Sequence, residues 1–370
     1  MSANHLKRSP LNDRHEVLGA KMADFGGWLM PIEYAGGGVL IEHKAVREGV
    51  GIFDVSHLGK VSVTGPGAKA FINSTLTNDL ERIDVGSAQY TLCCDEVTGG
   101  VVDDLIVYLN SDDDVLLVPN AANSAEVVRR LRAAAGGRLT IDDQHEEYGV
   151  IAVQGPRSQE LLQKLGLPTG IDYMAFLHAE YESAPMTVCR TGYTGEHGYE
   201  LVVGWDDSPA VWDALLEQGA ELDARACGLG ARDTLRTEMG YPLHGQDLSL
   251  EITPNQARVG WAVGWKKPTF WGRDVLSAER EATAPRLLWG LQSTDRGIPR
   301  AHMQVKGSDG QVVGEVTSGT FSPTLRRGIG LALIGRESGL GEGDEVRVDV
   351  RGRTSVMQIV KPPFVPSHVR

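Results

Sequence analysis

Four cysteines in 370 residues are too few to build a disulfide framework. They are Cys93, Cys94, Cys189 and Cys227, with no CxxC spacing and no histidine pairing, which argues against a zinc site and predicts buried free thiols in a reducing compartment. Long hydrophobic runs are missing too: the longest fall far short of the ~20 residues a membrane span requires. The segment from Met1 to Arg14 is polar and lacks the apolar core of a secretory signal, so a cytoplasmic home is expected. Positive charge is in short supply, with 36 Lys and Arg against 49 Asp and Glu for a net charge of -13. That balance argues against a general nucleic-acid binder, which needs a basic face to neutralise phosphates, although it leaves room for a local basic patch. No strand-linked GxGxxG fingerprint and no repeat of fixed period occur.

Glycine is plentiful. The 45 glycines imply many tight turns and a strand-rich protein, and the length suits two or three packed domains. Helical spacing marks Gly38 to Glu48, Ala68 to Leu76, Ser124 to Ala134, Ser158 to Leu165, Ala210 to Gln218 and Gly230 to Glu238. Strands are expected at Gly51 to His57, Tyr90 to Cys94, from Val101 through the apolar run to Leu109, Val115 to Pro119, Val150 to Gln154, Met186 to Gly192 and Tyr199 to Val203; Lys60 to Thr64 alternates as an edge strand would. Strands and helices mix without strict alternation, so the fold class is α+β rather than a doubly wound sheet. Past about Ala284 six short, turn-bounded strands with little helix predict a small β-barrel or sandwich. The boundary is placed between Glu279 and Arg286, giving an interleaved α+β region over 1–280 and a C-terminal barrel-like domain over 285–370.

Three segments carry chemistry. In the first, Gly99-Gly100 turns the chain into Val101-Val102-Asp103-Asp104 and an apolar strand. Alternation puts Asp103 on one face with Val101, Leu105 and Val107, and Asp104 on the other with Val102, Ile106 and Tyr108. Both faces read as buried, and a buried carboxylate needs a partner or a ligand. In the second, the chain bends through Thr191 to Gly198 and resumes a strand carrying Glu200 among apolar neighbours. A carboxylate there suits a flat heterocycle with adjacent N–H donors, by paired hydrogen bonds. In the third, Cys227-Gly228-Leu229-Gly230-Ala231-Arg232 opens a helix with an arginine in its first turn, where the dipole disfavours a cation, so Arg232 is expected to serve a carboxylate. Asp233 and Arg236, three apart, are expected to form a plain pair on the helix surface.

The ordered set of these segments, with Asp24-Phe25-Gly26-Gly27-Trp28, Phe53-Asp54-Val55-Ser56-His57, Thr77-Asn78-Asp79, Ala152-Val153-Gln154-Gly155-Pro156, Thr317-Ser318-Gly319-Thr320-Phe321-Ser322-Pro323 and Pro363-Phe364-Val365-Pro366, resembles the T-protein family of the glycine cleavage system, the aminomethyltransferases. The resemblance runs over nearly the whole chain. It implies a three-domain clover-leaf around a central channel for tetrahydrofolate, with no metal. It also implies transfer of an aminomethyl group from the lipoyl arm of the H-protein to tetrahydrofolate, releasing ammonia and leaving the dihydrolipoyl arm. On this resemblance the essential aspartate matches Asp103, the pterin-binding glutamate Glu200, the arginine near the folate glutamyl tail Arg232, and the folate-lining tyrosine Tyr90. The chain departs from the family in Gln246 to Glu251, where Ser249 takes one place in an acidic cluster, and in a short tail after Pro366. An acidic carrier would need a basic patch, for which Arg296, Arg300, Arg326, Arg327, Lys266 and Lys267 are candidates. Two other readings share the folate-binding pattern. One is a folate-dependent demethylase, which usually accompanies a flavin domain. The other is a folate-binding iron–sulfur assembly factor, whose Lys-Gly-Cys motif is missing at Tyr241 to Asp247.

Overall fold

The structure, a computed structural model, describes residues 6–350 and 352–370. Three larger β-rich bodies form it, with a small three-stranded sheet in the order Lys7–Arg8, Trp28–Tyr34, Ala20–Phe25. A six-stranded sheet runs in the order Phe176–Tyr181, Ala184–Cys189, Gly198–Gly204, Tyr148–Gln154, Gly51–Asp54, Arg225–Cys227; its last pair is parallel and the others antiparallel. A five-stranded antiparallel sheet, Ala88–Cys94, Val101–Ser111, Asp114–Val118, Val61–Thr64, Thr140–Asp143, is inserted between two strands of the first. The six strands between Arg286 and Val360 close into a barrel. The α+β reading and the C-terminal barrel therefore stand. All six barrel strands fall where the turn-bounded apolar runs place them.

Each body buries its own apolar side. Helices Ser158–Lys164 and Ser208–Gly219 cover one face of the six-stranded sheet through Leu161, Leu162, Val211, Trp212 and Leu215. Helices Ala68–Thr75 and Ser124–Ala135 cover the five-stranded sheet through Ile72, Val127, Val128 and Leu131. The opposite faces of the two sheets meet over Phe53, Tyr108, Ala152, Cys189 and Val202. All four cysteines are buried and unpaired.

Three local expectations are corrected. The strand Val61–Thr64 is paired on both sides and is no edge; strand Thr140–Asp143, whose Thr-Ile-Asp-Asp sequence carries no apolar run, covers it. The faces of strand Val101–Ser111 change hands at its start. Cys93 pairs with Asp103 and Cys94 with Val101, so Val102 is the extra residue of a β-bulge. Val102 then joins the core with Leu105 and Val107, while Val101 packs with Leu92 and Leu248. Thirdly, Asp233 and Arg236 are not a plain surface pair, because the face of helix Leu229–Met239 that holds Arg236 packs on the barrel. Arg236 is 2% exposed and donates to Asp233 Oδ1 at 2.7 Å, Asp247 Oδ2 at 2.8 Å and Ser318 Oγ at 2.9 Å. Asp247, itself fully buried, also accepts from Thr317 Oγ1 at 2.5 Å and the Leu243 N–H at 2.9 Å. This charged knot ties the helix to the barrel strand Val312–Ser322.

Removing one partner of such a buried pair leaves the other charge stranded. Arg236→Ala is expected to cost about 3–5 kcal/mol in urea unfolding. Arg129→Ala, which breaks the exposed pair with Glu126, is expected to cost less than about 1 kcal/mol.

Candidate active site

A cavity of about 230 Å³ opens where the two sheets, helix Leu229–Met239 and the loop after it converge. Its wall is one face of strand Val101–Ser111: Asp104, Ile106 and Tyr108 alternate along it and all border the space. At a rise near 3.3 Å per residue, the Cα atoms of Asp104 and Tyr108 stand about 13 Å apart, so the cavity has two chemically distinct ends.

At the Tyr108 end, the Tyr108 hydroxyl lies 3.3 Å from Thr191 Oγ1, which donates to Glu200 Oε2 at 2.5 Å. Alternation along Gly198–Gly204 sends Tyr199 and Leu201 into the core and turns Glu200 to the cavity. At the Asp104 end, Tyr90 O–H donates to Asp104 Oδ2 at 3.1 Å and Asn120 Nδ2 to Asp104 Oδ1 at 2.9 Å. Tyr90 stacks on Trp261, with centroids 5.3 Å apart and planes at 26°, and Trp261 is 65% exposed on the cavity's border. Burial raises the Asp104 pKa above its ordinary value, against the opposing pull of His244 and the hydrogen bonds from Tyr90 and Asn120.

The cation of the cavity is Arg232. Its guanidinium sits 4.7 Å from the centre of the Tyr193 ring, and its Nη1 is buried with no hydrogen-bond partner among the described residues. Burial lowers its pKa, with the Glu200 charge acting the other way. His57, which also borders the cavity, is packed edge-on against Phe25 at 5.2 Å and has an unpartnered buried Nδ1. Burial depresses its pKa to about 3, so the ring is neutral. The site therefore offers a carboxylate at each end, an unsatisfied guanidinium and aromatic walls, a donor set suited to a flat, polar-edged ligand.

Tyr90, Glu200 and Arg232 are brought together as expected from the sequence. Asp103 is not. It is fully buried on the core face with Leu105 and Val107, and its carboxylate is taken up by Asn120 and Asn123 behind the wall. The aspartate on the cavity is Asp104, one residue along, because the pleat sends neighbours to opposite faces. Arg296 and Arg300, in the barrel domain, do not border the cavity; both are exposed, and Arg300 donates to the Gly319 carbonyl at 2.9 Å. Arg326, Arg327 and Lys266 are also exposed. Lys267 is no docking residue: it is 5% exposed and its ammonium donates to the carbonyls of Leu76 at 2.6 Å and Asn78 at 2.7 Å.

The sequence reading did not name Asn120, Asn123, His244, Tyr193 or Trp261 as site residues. Asn120 and Asn123 follow a strand end and read as ordinary turn residues, and only the chain's return against Asp103 gives them a role. The one available signal was the apolar strand Asp114–Val118 running into Pro119-Asn120, which marks a strand end on the expected site sheet.

An unpaired buried cation destabilises the empty protein. Arg232→Met is therefore expected to hold or raise the ligand-free thermal midpoint in scanning calorimetry. A drop of more than about 5 °C, on the order of 4 kcal/mol for a chain of this size, would mean that Arg232 already has a partner.

Residues 11–267 match the family described as GCVT N-terminal domain, and residues 286–366 that described as glycine cleavage T-protein C-terminal barrel domain. The aminomethyltransferase of Frankia alni is 66% identical over 365 residues, covering 99% of this chain and 99% of that one. The aminomethyltransferase of Mycobacterium tuberculosis is 58% identical over 365 residues, covering 99% of this chain and 98% of its own. The crystal structure of glycine cleavage system aminomethyltransferase T from Bartonella henselae is similar at a TM-score of 0.92 and 31% identity, over 98% of this chain and 99% of that chain. These full-length relatives favour neither the demethylase nor the assembly-factor reading. The chain belongs to the glycine cleavage T-protein family, and its full-length relatives named above are aminomethyltransferases.

Proposed function

We propose that this chain moves the aminomethyl carbon from a lipoylated H-protein to tetrahydrofolate, and that the pterin lies along the Asp104–Tyr108 wall. The observation that carries the reading is the pairing of Glu200 and Asp104 at the two ends of one aromatic-walled cavity. A pterin presents adjacent N–H donors on one edge, which suits the Glu200 carboxylate, and a carbonyl beside them, which suits the unsatisfied Arg232 Nη1 in place of the glutamyl-tail contact expected from the resemblance. The nucleophilic nitrogens of the folate then fall towards Asp104. No resident metal enters this reading.

In the reaction a carbon–sulfur bond to the arm breaks and the thiol is left behind. The carbon bonds to the two folate nitrogens, and ammonia departs with the proton balance closed by the two nitrogen-bound hydrogens of the folate. Positive charge develops on the migrating carbon–nitrogen unit. Asp104, oriented by Tyr90 and Asn120, can stabilise that charge and receive a hydrogen bond from the folate. Two aligned reactants and one fixed carboxylate supply orientation and electrostatics without a covalent enzyme intermediate.

The carrier docks, on this reading, against the exposed arginines of the barrel. The segment holding Arg296 lies against that holding Arg327, since a side chain on Gly328 would strike the Gly297 carbonyl, and Arg300 follows on the same stretch.

Ammonia and methylene-tetrahydrofolate are the products to measure, from aminomethylated H-protein with and without tetrahydrofolate. Folate-dependent release of both is expected, and folate binding without turnover would overturn the reading. Asp104→Asn is expected to lower turnover by about 10²-fold or more while tetrahydrofolate affinity changes little. Because the ionised form of Asp104 is the active one and its pKa is raised, with Asp103, Tyr90 and His244 around it, turnover falls as pH drops through that raised value. The acid limb should therefore lie above the ordinary aspartate value of about 3.9. Arg300→Glu is expected to raise the KM for the carrier at low ionic strength, with the difference fading at about 1 M salt. An unchanged KM at low salt would remove Arg300 from the interface.

A further inference from the structure

Asp103 never reaches the cavity, yet it gathers the donors that hold the cavity wall. Its Oδ2 accepts the Asn120 backbone N–H at 3.0 Å. Its Oδ1 accepts from Asn120 Nδ2 at 2.9 Å and from Asn123 Nδ2 at 2.7 Å. Both amides are shared with groups on the wall. Asn120 Nδ2 also lies 2.9 Å from Asp104 Oδ1 and 2.9 Å from the Asp104 carbonyl. Asn123 Nδ2 also lies 3.0 Å from His244 Nδ1, and the other ring nitrogen of His244 lies 3.0 Å from the Val101 carbonyl. His244 borders the cavity beside Asp104.

A carboxylate accepts and an amide has one accepting and one donating end, so the amide that meets a carboxylate must turn its NH₂ to it. Asp103 thereby dictates which way Asn123 points. With its NH₂ between Asp103 and His244, Asn123 can only donate to His244 Nδ1. That leaves the ring proton on Nε2, where the Val101 carbonyl accepts it. Asn120 is held the same way, with the Asp104 carbonyl as a second anchor.

We propose that Asp103 is a positioning residue, a hidden acceptor that sets the donor direction of Asn120 and Asn123 and through them fixes the orientation of Asp104 and the Nε2–H tautomer of His244. The proposal rests on Asp104 being the carboxylate that acts on the ligand. The energetics favour a functional reason for Asp103: burying a second carboxylate beside the first is costly, and a well-packed neutral residue would serve stability at least as well. An asparagine in its place would bring an NH₂ group into a nest of N–H donors, and both neighbouring amides would be free to turn over. His244 would then keep only the Val101 carbonyl to hold its proton on Nε2, and its preference for that tautomer would weaken.

The test uses the full chain with ¹⁵N-labelled histidine. In the wild type the His244 ring is expected to show a single Nε2–H tautomer. Asp103→Asn is expected to give a mixed tautomer, with a measurable Nδ1–H fraction, and at least a tenfold lower kcat, with tetrahydrofolate affinity within about twofold of wild type. Because the loss passes through the amides, Asp103→Asn and Asn120→Ala together should cost no more in kcat than the worse single change. A variant that keeps the wild-type tautomer and kcat would overturn the proposal, and so would losses that multiply. If Asp103→Asn does not fold, Asn123→Ala replaces it for the tautomer measurement: a mixed tautomer supports the relay and an unchanged one ends it. Absence of turnover in the wild type would count against the aminomethyl-transfer reading, while the tautomer measurement would still decide the relay.

Discussion

One extra residue in one strand governs the site. The bulge at Val102 lets Val101 and Val102 both find apolar surroundings, and the pleat that resumes after it places Asp103 in the core and Asp104 on the cavity. A one-residue slip would exchange the two carboxylates and expose Leu105 and Val107 to the cavity, so the apolar requirement of the core holds the acid chemistry in register. The Gly99-Gly100 turn makes this possible. Gly99 has φ +70°, and Gly100 passes so close to the Leu250 carbonyl that no side chain fits.

Charge is distributed unequally between structure and site. At the helix–barrel junction every buried charge is paired: Arg236 with Asp247, and Glu238 with Arg47 Nη2 at 2.7 Å and with the hydroxyls of Ser322 and Thr324. In the cavity Arg232 is left wanting and the carboxylates of Glu200 and Asp104 carry only neutral donors. Binding free energy is thus held in reserve in the cavity, while the paired clusters outside it keep the bodies together. The helix Leu229–Met239 belongs to both economies, with Arg232 turned to the cavity and Arg236 and Glu238 turned to the junction, one turn apart.

The architecture was largely legible. Turn-bounded apolar runs located every barrel strand, and helical spacing found the covering helices, because those patterns record which side of an element must leave water. The missed strands were Lys7–Arg8, Ala20–Phe25, Thr140–Asp143, Phe176–Tyr181 and Arg225–Cys227, short or polar segments whose pairing comes from a neighbour rather than from their own residues. The buried fate of Arg236 and Lys267 was invisible for a similar reason: a long cation reads as solvated until a second body closes over it.

The sequence by itself determined the fold class, the barrel and the family, and it singled out Tyr90, Glu200 and Arg232, which border one cavity, since motif order and hydrophobic period are properties of the chain. Only the tertiary structure decided which of two adjacent aspartates faces the cavity, and that Asn120, Asn123 and His244 close round them. Alternation says that neighbours part company. Which face becomes core depends on the helices that pack there, and those helices come from distant parts of the chain.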